Sequence, residues 1–91
     1  MIVAVLYEYD GDAALMDEIR PAHREFLMSH PGILLTGPTA AGGAVIVFDA
    51  DPIELESWLD DDPFRKAGVI GRRTVTPWTV VGGAWKDHLG L

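Results

Sequence analysis

The stretch "IVAVLYEY" at residues 2–9 is rich in β-branched and aromatic residues and predicts a β-strand. Side chains alternate between the two faces of a strand, and a strand with one face in water carries polar residues at every second position. Here both alternating sets are apolar: Ile2, Ala4 and Leu6 on one face, and Val3, Val5 and Tyr7 on the other. This strand therefore predicts a sheet that is covered on both faces.

The first helical region follows the turn after this strand. Asp12 has the side chain of a helix N-cap, and apolar residues at roughly helical spacing follow it. Because a proline disfavours helical backbone in the residue before it, Pro21 is expected to break or restart the helix. The sequence thus predicts one helical segment at 12–19 and a second at 21–29.

The remaining elements are three strands and a second helix. The strands are predicted at 33–40, with a glycine-proline break inside it, at 44–50 and at 69–81. The helix begins with Asp51 as its cap and Pro52 in its first turn. Its apolar stripe runs from Leu55 to Asp62, and the sequence "DPF" at 62–64 is expected to end it.

The resulting order, β-α-β-β-α-β, predicts an α+β fold of the ferredoxin-like type, in which two helices cover one face of a four-stranded antiparallel sheet. The other face is also apolar, and exposed apolar faces on the order of several hundred Å² are rare on monomers. We expect a second copy of the chain to cover this face, sheet against sheet, in a homodimer. The alternative is that the C-terminal segment folds under the sheet.

Two parts of unequal length are expected, a domain at 1–82 and a tail at 83–91. Trp85 and Leu89 are four residues apart, so they would form one apolar edge of a short helix. The tail is therefore predicted to dock, against the partner subunit or the rim of the site, rather than to extend into solvent.

The chain has 91 residues, no cysteine and a formal net charge of −7. This negative charge argues against nucleic-acid or anionic-membrane partners, because both bind basic surfaces. No apolar run approaches the roughly 20 residues of a membrane-spanning helix, and no basic segment precedes the apolar N-terminal stretch. The lack of cysteine excludes disulfides and thiolate metal sites. Together these features lead us to expect a cytoplasmic protein.

A histidine occupies a position in the first helical region where leucine would be typical. His23 is one turn from Phe26 and Leu27 and shares their apolar face, while Asp62 lies on the apolar stripe of the second helix. A carboxylate that accepts a hydrogen bond from one ring nitrogen fixes the tautomer of a histidine and stabilises its protonated form, as a general base requires. The alternative is a core histidine with a purely structural hydrogen bond.

Four segments stand out together: "RPAHREFL" at 20–27, "LLTGP" at 34–38, "DDDPFRKAG" at 60–68 and "TPWTVV" at 76–81. In this order and at these separations they resemble the YciI-like (YCII-related) family of small bacterial proteins. The resemblance implies a dimeric ferredoxin-like α+β barrel and a site that pairs His23 with Asp62. It also suggests an activity, since the family includes a dehydrochlorinase of a chlorinated hydroxyquinol, and the fold is shared with muconolactone isomerase.

Three further residues are candidates for binding a substrate. Arg20 is placed to reach an anionic substrate or the Asp62 carboxylate, the alternative being a solvated arginine at a helix start. The strand break at Gly37 and Pro38 is a candidate for holding an oxyanion with its exposed amides, the alternative being a simple bulge. The three histidines lack the spacing of metal ligands, so neither a metal nor a cofactor is expected.

Two classes of function remain. One is an enzyme of the lyase or isomerase type that uses a His23–Asp62 dyad for proton transfer on a small carbonyl or aromatic compound, by isomerisation or by β-elimination such as dehydrochlorination. The other is a non-catalytic dimeric module that binds a small ligand or serves as an accessory partner in a larger assembly. A cavity at the dyad favours the enzyme, and a sealed dyad favours the module.

Overall fold

The computed structural model describes all 91 residues, and the strands and helices follow the predicted order. They are β1 (Ile2–Tyr9), α1 (Ala13–Met28), β2 (Ile33–Pro38), β3 (Gly43–Asp49), α2 (Pro52–Leu59), α3 (Pro63–Lys66) and β4 (Ile70–Pro77). The strands form one antiparallel sheet in the spatial order β2-β3-β1-β4. This arrangement is ferredoxin-like, so the predicted α+β fold class is confirmed.

The hydrophobic core lies between the sheet and the helices. One face of the two central strands supplies six buried side chains: Val3, Val5 and Tyr7 of β1 and, opposite them, Phe48, Ile46 and Ala44 of β3. Leu27 of α1 and Leu55 and Leu59 of α2 pack against this face. Burial of these side chains contributes about 25 cal/mol per Å² of apolar surface and holds the helices on one side of the sheet.

α1 is one continuous helix, so the predicted break at Pro21 is wrong. Asp12 caps it as predicted, since its carboxylate accepts a hydrogen bond from a first-turn backbone N–H at 3.1 Å. Pro21 lacks an N–H and leaves one helical carbonyl without its usual partner. The helix continues because both halves bury side chains, Met16 before the proline and His23 and Leu27 after it. α1 is the longest helix, and no helix of the protein has the length and apolar character needed to cross a membrane.

The second helical region is divided into two helices, which corrects the position predicted for Asp62. Asp51 caps α2 as predicted, accepting hydrogen bonds from two first-turn N–H groups at 2.9 and 3.0 Å. α2 ends at Leu59, and Asp62 caps α3, with Pro63 in the first turn. The sequence "DPF" therefore begins a helix instead of ending one, because aspartate is a strong N-cap and proline suits the position after it.

The strands also differ in detail from the prediction. The irregularity in the pairing of β2 with β3 lies between Ile33 and Leu35 rather than at the predicted glycine-proline break, and pairing continues to Pro38. Pro38 is tolerated because β2 is an edge strand. β4 ends at Pro77 and not at 81, because its partner β1 begins at Ile2, whose carbonyl accepts a last backbone hydrogen bond from the N–H of Trp78 at 2.8 Å.

The second face of the sheet is only partly covered. At one end the tail folds back, so that Trp85 and Leu89 line an apolar cavity of about 470 Å³ together with Val47 of β3. At the other end, Leu6 is 43% exposed and Val45 is 38% exposed. In the single chain the tail thus lies under its own sheet, and the neighbouring apolar side chains of the same face remain open to solvent.

Candidate active site

Asp62 is fully buried, and its carboxylate has three hydrogen-bond partners. As the N-cap of α3, its Oδ1 accepts from the backbone N–H of Phe64 at 2.9 Å. The same oxygen lies 2.7 Å from Nδ1 of His23, and Oδ2 accepts from the hydroxyl of Tyr7 at 3.0 Å. These three contacts, which come from three different elements, hold the carboxylate in one orientation.

His23 is only 6% exposed, and its orientation is fixed by two contacts. Because an ionised carboxylate can only accept hydrogen bonds, the contact with Asp62 places the proton of the neutral ring on Nδ1. The ring also stacks on Phe64, with centroids 4.0 Å apart and an angle of 11° between the planes. Nε2 of His23 has no hydrogen-bond partner in the protein, but it is not fully buried. The only side-chain nitrogen or oxygen atom that is both fully buried and without a partner is Nη1 of Arg73.

His23 opens onto a cavity of about 700 Å³ between α1 and β2. The apolar part of the lining includes Leu27, Met28 and Pro38, together with the Phe64 ring on which the histidine stacks. The predicted contact between His23 and Asp62 is thus present, and His23 lines the cavity while Asp62 is buried behind it.

The three residues predicted to bind a substrate all line this cavity. Arg20 lies one turn before His23 on α1, and its guanidinium forms an ion pair with Asp17, not with Asp62. Gly37 and Pro38 belong to the wall supplied by β2. Since proline has no N–H, a backbone donor in this wall comes from Gly37 or the residue before it.

The sequence profile of the YCII-related domain matches residues 1–79 of the chain. The chain belongs to this family. No curated protein sequence matches it.

A solved structure of the same fold is 5-chloro-2-hydroxyhydroquinone dehydrochlorinase from Burkholderia phenoliruptrix, in complex with 2,5-dihydroxybenzoquinone. It is similar to this YCII-related domain with a TM-score of 0.78 and 22% sequence identity, over 87% of this chain and 94% of that one. At this level of identity, the likeness establishes the fold.

Two residues of the YCII-related domain that surround the dyad escaped the sequence analysis. The hydroxyl of Tyr7 bonds to Asp62, but in the sequence Tyr7 is one more apolar residue of β1. Its position on the helix-facing side of the strand was the available signal. Arg24 follows His23 directly and lines the cavity. Its spacing of four residues from Arg20, which puts the two on one helix face, would have identified it.

Arg73 brings a half-buried cation to the same side of the sheet. It is the register partner of Tyr7, its side chain is 9% exposed, and it bonds to the carboxylate of Asp60 at 2.9 Å. It does not line the cavity beside His23.

No group of three histidine or acidic side chains is placed to hold a metal ion. The charged side chains that line the cavity beside His23 are Arg20 and Arg24 of α1.

Burial and, secondarily, the neighbouring Asp62 carboxylate raise the pKa of the Tyr7 phenol far above its usual value of about 10. Above about pH 10 the Tyr7 phenol loses its proton in the unfolded chain but keeps it in the folded protein. The free energy of unfolding therefore falls as the pH rises. Tyr7→Phe is expected to reduce this fall by about 1.4 kcal/mol per pH unit. Urea unfolding between about pH 10 and 11.5 measures the slope, and equal slopes in the two proteins would contradict the prediction.

Proposed function

We propose that this YCII-related domain is an enzyme of the lyase or isomerase type, in which the His23–Asp62 dyad transfers a proton of a small carbonyl or aromatic compound. The observation that supports this is the geometry of His23, whose Nδ1 lies 2.7 Å from Asp62 while Nε2 is unpartnered beside the cavity. A general base needs this combination of a free lone pair and a partner that stabilises the proton it takes. The dehydrochlorination named for the structural neighbour belongs to the same reaction class.

The proposed reaction starts when Nε2 of His23 takes a proton from a carbon next to a carbonyl group. The electron pair of the broken C–H bond moves onto the carbonyl oxygen, and an enolate forms. Arg20 and the Gly37 wall line the cavity and supply groups that stabilise this oxygen. In an isomerisation, His23 returns the proton to another carbon. In a β-elimination, the electron pair forms a C=C bond and expels the leaving group, such as chloride, with its bonding pair.

Deuterium exchange tests this proposal across several substrate classes at once. A panel of lactones, chlorinated phenols and enolisable acids is incubated with the protein in D2O, and label incorporation and chloride release are followed by NMR and ion chromatography. We expect at least one compound to react, and His23→Ala to slow that reaction about 100-fold or more. His88→Ala, which alters an exposed histidine of the tail, should react like the wild type.

The same panel identifies the alternative function. Compounds that bind but react at equal rates with wild type and His23→Ala, or with neither, would contradict the enzyme. That result would support a non-catalytic module that binds small ligands. Asp62 is compatible with such a module, because it also has a purely structural role as the cap of α3.

We propose in addition that two copies associate through the second face of the sheet. Leu6 and Val45 are opposite each other in the register of β1 and β3, and they stay exposed after the tail has folded. Leu35, on the neighbouring strand, is 49% exposed. Large apolar side chains that adjoin on one sheet face indicate an interface, because such patches are rare on monomers.

Val45→Asp is expected to convert this dimer into a monomer, because it places a charge in the centre of the proposed interface. Val45 is exposed in the single chain, so the fold itself tolerates the change. The matched control is Ile53→Asp, an 80% exposed isoleucine on α2. Light scattering at micromolar concentration should give a dimer for the wild type and the control. A monomeric wild type would contradict the proposal.

A further inference from the structure

The cavity beside His23 collects positive charge in a protein that is strongly negative overall. The chain contains 14 acidic and 7 basic residues. None of the acidic residues lines this cavity, whereas Arg20 and Arg24 both do. We propose that the site takes a small aromatic anion, a carboxylate or a phenolate, and that Arg24 binds its negative charge and thereby determines specificity.

Of the two arginines that line the cavity, Arg24 is the one without an ion pair. Arg20 forms an ion pair with Asp17 on the same helix, so part of its charge is already balanced. Arg24 makes neither a side-chain hydrogen bond nor an ion pair with any residue of the chain, although Glu25 is its neighbour in sequence. The two arginines are four residues apart on one helix, where like charges repel. An anion bound between them removes this repulsion.

The rest of the cavity fits the body of such a ligand. Arg24 is adjacent to His23 in sequence, and Leu27 lies one turn further along the same helix face. Leu27, Met28 and Phe64 add apolar surface, which suits an uncharged ring. The volume of about 700 Å³ is ample for a single-ring compound. The charged group and the ring of one small molecule can therefore be held at the same time as His23 Nε2 reaches it.

The inference rests on the proposed function only in that it takes this cavity to be the substrate site. Its test is a binding measurement, which does not depend on turnover. Benzoate and its neutral isostere benzamide serve as probes, and isothermal titration calorimetry compares their dissociation constants for wild type, Arg24→Gln and Arg65→Gln. Arg65 is the matched control, because it is an exposed arginine without an ion pair that does not line the cavity.

We expect wild type to bind benzoate at least about tenfold more tightly than benzamide, since the amide carries no negative charge to pair with the Arg24 guanidinium. Arg24→Gln should weaken benzoate at least about tenfold and leave benzamide unchanged, and Arg65→Gln should bind like the wild type. Arg24→Lys keeps the charge without the planar fork and should be intermediate.

Equal benzoate affinity in wild type and Arg24→Gln would overturn the inference, as would equal affinity of the wild type for benzoate and benzamide or no binding of either. None of these results bears on the dyad. Deuterium exchange into a neutral lactone does not involve Arg24. A loss of this exchange in His23→Ala would therefore still support the dyad, even if the anion site were contradicted. Conversely, Arg24-dependent benzoate binding together with exchange that is independent of His23 would support the anion site and contradict the enzyme.

Discussion

Asp62→Ala is expected to destabilise the fold by about 3–5 kcal/mol, a large share of the stability of a domain of this size. The change removes the N-cap of α3, which contributes about 1 kcal/mol. It also leaves two buried donors, the hydroxyl of Tyr7 and Nδ1 of His23, without their acceptor, and each such loss costs about 1–3 kcal/mol.

The measurement is chemical unfolding near neutral pH, with Asp61→Ala as the matched control. Asp61 is the preceding residue, but it is exposed, and its one ion pair, with Lys66, spans 3.9 Å. Removing it should change the free energy of unfolding by no more than about 0.5 kcal/mol. Similar stabilities of the two variants would show that the buried carboxylate does not organise the site.

Asp62→Asn is expected to separate the structural role of this residue from its chemical role. Asparagine caps helices as well as aspartate does, and its amide oxygen can accept from both His23 and Phe64. Tyr7 can turn its hydroxyl to accept from the amide NH2. The variant should therefore fold with most of the wild-type stability. What it lacks is the negative charge that stabilises protonated His23, so turnover should fall about 100-fold or more with little change in KM.

The rate is measured on whichever compound responds in the exchange panel, and Asp61→Asn is the control for the loss of one negative charge from the same segment. A tenfold or greater rise in KM with unchanged kcat would mean that Asp62 contributes to ligand binding instead. Full activity of Asp62→Asn would show that the charge has no part in the reaction.

The order of the elements and the location of the core follow from local patterns in the sequence. The apolar residues of the strands and the caps at Asp12 and Asp51 predict most of this order, because each depends only on neighbouring residues, whereas the two apolar sets of β1 leave open which face the helices cover. Pro21 is different. Its local preference is outweighed by side chains that the same helix buries on both sides of it, and burial depends on the whole fold.

The Asp–Pro pair occurs twice, at 51–52 and 62–63, and in both places it begins a helix. If the second pair is interpreted as the end of a helix, Asp62 falls on the apolar stripe of α2. In the structure Asp62 is instead the N-cap of α3. The two contacts that matter most for the candidate site join residues 39 and 55 positions apart in sequence. Periodicity cannot predict such contacts. The resemblance to the family suggested the first of them, and the second, with Tyr7, requires the register of the sheet.

The tautomer of His23 tests the central claim most directly, because a general base at this position must keep Nε2 unprotonated and facing the cavity. Long-range ¹H–¹⁵N NMR spectra of the wild-type protein, recorded at a pH where the ring is neutral, distinguish the two ring nitrogens. His23→Gln identifies the resonances of this histidine among the three in the chain. We expect the proton on Nδ1, where it bonds to Asp62, and a free lone pair on Nε2. A neutral ring that carries its proton on Nε2 would contradict the dyad and leave His23 as a structural residue.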